Sequence, residues 1–84
     1  MISVALQFLP ESDQAPKIIA SGEGLLGKKI FEIAKINKIP IVKDDQLAKM
    51  LVKEPIGTEI PENLYKAVAA IFSYIYKIEN ELKN

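Results

Sequence analysis

Residues 2–9 (ISVALQFL) alternate, with Val4, Leu6 and Phe8 on one side and Ser3, Ala5 and Gln7 on the other. That period of two predicts a strand with one face better buried than the other. The polar stretch Pro10 to Pro16 (PESDQAP), bounded by prolines, reads as a loop. A β-branched run, Ile18-Ile19, predicts a second strand at about Lys17 to Ala20. From Gly22 or Glu23 to Asn37 the period turns helical: Leu26, Ile30, Ile33 and Ala34 form an inward stripe, while Lys28, Lys29, Glu32 and Lys35 take the wet side. Asn37 suits a left-handed stop and Pro40 blocks continuation. Ile39 to Val42 then reads as a third short strand, so Pro16 to Lys43 spells strand, crossover helix, strand. Strands joined in that way lie parallel, with a right-handed crossover.

Asp44 or Asp45 is a natural N-cap for a second helix, Gln46 to Lys53, burying Leu47, Leu51 and Val52. Pro55-Ile56-Gly57 turns the chain, and Pro61 with Glu62 opens a third helix. Its seam of Leu64, Val68, Ile71, Ile75, Ile78 and Leu82 is the longest periodic signal in the chain. The fold class that follows is α/β, a small mixed sheet of about three strands with one β-α-β crossover under about three helices.

Composition narrows the function. The 84 residues make one domain, 1–84, and the eleven basic and eleven acidic side chains cancel without a basic block. A nucleic-acid partner is therefore not expected. No cysteine or histidine is present, which removes thiolate zinc sites and the commonest general base and metal ligand. Ser3, Ser12, Ser21 and Ser73 consequently have no imidazole to activate them. The longest nearly uncharged apolar stretch, Ala67 to Tyr76, is roughly half a membrane span, and no signal peptide is visible. The expectation is a cytoplasmic protein without direct membrane insertion, cofactor or metal.

One motif points elsewhere. Gly22, Gly24 and Gly27 satisfy G-x-G-x-x-G between a predicted strand and a predicted helix, and Asp44 and Asp45 lie about twenty residues on, where a ribose-binding acid belongs. A small nucleotide-binding protein is thus the alternative reading. Against it, only helices follow Val42, so the sheet cannot grow a mononucleotide-binding half. A strand-to-helix turn, close helix–sheet packing and capping aspartates explain the same residues.

Taken together, VALQF, then APKIIASGEGLLGKKIFEIAKINKIPIV, then DDQLAKMLVKEPIGTEIPENLYKAVAAIFSYIYKI resemble the cytoplasmic C-terminal domain of the FlhB/YscU/SpaS family of flagellar and type III secretion export switch proteins. The resemblance runs from about Ser3 to Ile78. It rests on unusual pieces in order: Ala15-Pro16-Lys17, Ile39-Pro40-Ile41-Val42, Leu47-Ala48, Ile56-Gly57, Ile60-Pro61 and Leu64-Tyr65-Lys66-Ala67-Val68-Ala69. Members carry an Asn-Pro-Thr-His loop just before the VAL strand and cleave themselves there. Here Met1 stands at the histidine position, so the expectation is a non-catalytic, stand-alone counterpart of the processed fragment. The resemblance implies partners among export gate proteins, including the membrane switch protein, and among export substrates or their chaperones. It also implies an apolar contact patch, which carries over to Ala15, Pro16, Ala69 and Phe72. Members have a further strand upstream of the loop. The expectation in its absence is that Ile2, Val4, Leu6 and Phe8 form an exposed sheet edge that accepts a partner strand or makes a weak homodimer.

Overall fold

The structure, a computed structural model, describes residues 1–82, the last of these by backbone alone. Strand β1 (Ile2–Gln7) pairs antiparallel with β2 (Lys17–Glu23), and β2 runs directly into helix α1 (Gly24–Ile36). Helix α2 (Asp45–Leu51) follows, then a 3-10 turn (Glu62–Leu64) that leads into α3 (Tyr65–Leu82).

The α/β class and the three helices agree with the sequence pattern, but among the described residues the sheet has two strands and contains no parallel crossover. Ile39 to Val42, expected as the third strand, is a connection with no ladder partner among the described residues, and Ile39, Ile41 and Val42 stand exposed. Four apolar residues containing a proline carry the composition of a strand, yet a strand exists only where a second backbone meets it. β1 also stops before Phe8 and Leu9, which lie exposed at the start of the loop.

The two faces of the sheet differ in size. Ser3 pairs with Gly22 and Ala5 with Ala20, so one face is lined by small residues. A one-residue bulge at Ile19 then sets Leu6 against Ile18 on the other face. That second face meets the core, in which Ala15, Ile18, Leu47, Leu51, Ile60, Leu64 and Val68 are buried, with Val4, Leu6, Ile71 and Phe72 packed against them. Leu47, Leu51, Leu64 and Val68 were all legible from helical spacing. Ile75 of the α3 seam is half-buried and Ile78 exposed, while the side chain of Leu82 lies outside the described residues.

Helix α1 packs on the small-residue face, and here the predicted inward stripe is corrected. Of its four residues, Ile30 and Ala34 are half-buried beside Gly27, but Leu26 is 54% and Ile33 48% exposed, and the buried residue of the helix is Gly27. Small residues below and a glycine above let the helix sink until backbone meets backbone: a Cβ on Gly27 would collide with the carbonyl oxygen of Met1 and lie 2.8 Å from that of Gly22. Leu26 and Ile33, farther from that contact line, cannot follow it down. The end of α1 also differs from expectation. Asn37 has φ −90°, and the left-handed residue is Lys38 at φ +57°. The Ile39 N–H donates to the Ala34 carbonyl (2.9 Å) and the Lys38 N–H to that of Lys35 (3.2 Å), the paired closing bonds of a Schellman turn.

Candidate partner-binding surfaces

The glycine motif forms no phosphate cradle. β2 continues through Ser21 and Gly22 to Glu23, so no loop separates strand from helix. Gly22 is glycine because a Cβ there would strike the Leu26 side chain, and Gly24 because its φ is +62°. Glu23 occupies the N-cap of α1 in an extended conformation, without a side-chain capping hydrogen bond. Asp44 is engaged as the cap of α2, its carboxylate accepting from the Leu47 N–H at 3.1 Å. Among the described residues no group of three or more His, Cys, Asp or Glu side chains is placed to hold a metal ion.

What remains is surface and edge. The outer edge of β2 is occupied at its first half by the segment after the Pro55 turn. The Ile18 N–H donates to the Thr58 carbonyl (2.9 Å), the Gly57 N–H to that of Ile18 (2.7 Å), and the Ile60 N–H to that of Pro16 (2.9 Å). The outer edge of β1 has no backbone partner among the described residues. Of the residues expected to dock a strand, Val4 and Leu6 direct their side chains into the core. Phe8 falls beyond the strand. Ile2 borders a hollow of about 240 Å³ shared with Met1, Asp45 and Lys49. The edge therefore offers backbone donors and acceptors, with side-chain contact confined to its ends.

The residues of the expected apolar patch divide between core and surface. Ala15 is 2% exposed, so it serves the core and presents nothing to a partner. Phe72 packs half-buried against the same cluster, Pro16 is half-buried, and Ala69 is exposed on α3.

Asp13 holds the loop that carries Ala15 and Pro16, a role the spacing of the sequence did not announce. Its carboxylate accepts from the Leu9 N–H at 3.0 Å and lies 3.4 Å from the Lys17 ammonium, and its own N–H donates back to the Leu9 carbonyl at 2.8 Å. The Leu9 N–H, with Lys17 assisting, holds the carboxyl below the usual carboxylate range, against an opposing push from burial. The retrospective signal is an aspartate four residues from each partner, Leu9 and Lys17, within a proline-bounded loop. Elsewhere, no described helix is long and apolar enough to cross a membrane.

Comparison with known proteins places these features in context. The chain is 39% identical over 82 residues to the uncharacterized protein YlqH of Bacillus subtilis, covering 98% of this chain and 88% of that one. It is 43% identical over 75 residues to the flagellar biosynthetic protein FlhB of Aquifex aeolicus, covering 88% of this chain but 21% of that protein. The chain thus spans about a fifth of the length of the FlhB proteins it matches. The fold superposes on the crystal structure of the native SpaS C-terminal domain with a TM-score of 0.92 at 19% identity, over 100% of this chain and 98% of that one. A mutated EscU C-terminal domain matches at a TM-score of 0.82 and 26% identity, over 87% and 89% of the two chains. The sequence profile of the FlhB HrpN YscU SpaS family matches residues 1–75. On that match the chain belongs to the FlhB HrpN YscU SpaS family of flagellar and type III export switch proteins.

Proposed function

We propose that this chain is a non-catalytic, cytoplasmic component of the flagellar (type III) export apparatus. In this role it stands in for, or assists, the processed C-terminal part of the export switch protein when the class of exported substrate changes. The observation that supports the reading is the outer edge of β1, which has no backbone partner among the described residues. Unpaired strand edges recruit extended segments through main-chain hydrogen bonds, which supply affinity with little demand on sequence. The segment proposed for it is the strand that precedes the Asn-Pro-Thr-His loop in a full-length switch protein. Pro16, Ala69 and Phe72 form the second contact, toward export substrates or their chaperones, with Ala15 holding the loop from beneath.

Mixing the chain with a peptide of that upstream strand, and following amide exchange over Ile2 to Gln7, tests the reading. Protection of alternate amides along the outer edge is the expected result. Unchanged exchange rejects the docking mode, and a mass that doubles with concentration in the absence of peptide assigns the edge to a second copy instead. A pull-down against export gate components, compared with a Pro16→Asp/Phe72→Asp variant of unchanged fold, separates the patch from the edge.

A further inference from the structure

We propose that the outer face of α1, with the connection that follows it, lies on an anionic lipid bilayer. Between Gly24 and Lys43 the chain carries five lysines against the single acid Glu32. This leaves the remainder at net −4 in a protein whose total is zero. The exposed aliphatic side chains gather in the same stretch. Leu25 and Ile36 are 87% and 79% exposed, and Leu26, Ile33, Ile39 and Ile41 each between 44% and 54%.

Helical geometry turns these into one face. Leu25 and Ile36, eleven residues apart, share a line diametrically opposite buried Gly27, and Leu26 with Ile33 form the flank beside it. Lys29 and Glu32 lie within the arc and Lys28 with Lys35 on the far flank, so three ammonium groups outweigh one carboxylate. The long lysine side chains keep their ammonium groups at the level of lipid phosphates while the aliphatic residues enter the boundary. Lys38 and Lys43 continue the charge through the connection. The face is a convex helix crown, which suits a plane better than it suits a peptide needing a groove. Its net positive charge disfavours a second copy meeting it face to face.

This inference goes beyond the proposed docking of a partner strand and does not depend on it. The test is co-sedimentation of the full chain with vesicles of equal parts phosphatidylglycerol and phosphatidylcholine, against vesicles of phosphatidylcholine alone. Binding should be at least tenfold tighter to the anionic vesicles, weaken with added salt, and fall at least tenfold in the double variant Leu25→Glu/Ile36→Glu. Both positions are exposed, and an unchanged circular dichroism spectrum confirms that the variant is folded. Absence of binding to anionic vesicles overturns the proposal, as does equal binding to both lipid compositions or by the double variant. Self-association that the double variant abolishes, without vesicle binding, gives the face to a second copy and overturns it too. Strand docking at β1 is read on a different surface by amide exchange, so either idea fails alone.

Discussion

Replacing Gly27 by alanine tests the closeness of α1 to the sheet. In an exposed helix interior the change would stabilise the protein by about 1 kcal/mol, because alanine loses less backbone entropy on folding. Here the added Cβ meets two carbonyl oxygens, those of Met1 and Gly22, the second at 2.8 Å. Neither obstacle is a side chain with another rotamer, so α1 as a whole must lift from Ser3, Ala5, Ala20 and Gly22. Overpacking of this kind costs about 1–3 kcal/mol, and backbone obstacles put this case toward the upper end. The expected net loss is about 1–2 kcal/mol, a fall in melting temperature of roughly 5–15 °C for a domain of this size. Gly24→Ala is the informative control, since nothing lies within 4 Å of its added Cβ and its φ is +62°. Its loss is purely conformational, about 1 kcal/mol. Urea unfolding followed by circular dichroism gives both values. The Gly27 variant should also speed amide exchange across α1, which the Gly24 variant should not. A Gly27→Ala protein as stable as the parent, or more stable, would refute the close-packed interface and reopen the question of why three glycines stand in this pattern.

Two further outcomes follow from side chains named above. Asp13 titrates below the ordinary carboxylate range when folded, so the folded protein binds fewer protons than the unfolded chain as the medium becomes acid. Its contribution is present above the unfolded carboxylate pKa and is lost as pH falls through the folded value. Asp13→Asn should therefore lower the urea midpoint at neutral pH and narrow its difference from the parent in acid, and a constant difference across that range would contradict the assignment. Lys38 sits at φ +57°, a conformation that costs a side-chain-bearing residue about 1–2 kcal/mol, partly offset for glycine by its extra freedom when unfolded. Lys38→Gly should raise stability by about 0.5–1 kcal/mol in a thermal melt, and a loss would show that the lysine side chain is itself engaged.

How legible each element was depends on which physical relation fixes it. Leu47 and Leu51 in α2, Leu64 in the 3-10 turn and Val68 in α3 lie on segments whose apolar spacing and burial coincide, because large side chains there fill the space between layers. The same inference holds for only half of the stripe on α1, where Ile30 and Ala34 are half-buried but Leu26 and Ile33 are exposed. The surface beneath it is built from Ser3, Ala5, Ala20 and Gly22, and a helix resting on small residues approaches by its own smallest residue. Gly27 then faces in, and Leu26 and Ile33 are carried to the rim. A reader who pairs the glycine of the helix with the small residues of the strands, before pairing leucines with each other, recovers the observed orientation. Ile39 to Val42 was illegible for another reason: pairing belongs to two backbones at once, and a single run of β-branched residues names only one of them. The loop patch falls between these cases. Pro16 and Phe72 came to notice through the resemblance alone, whereas the aspartate that holds the Pro16 loop acts through the Leu9 backbone and left no pattern of hydrophobic residues to read.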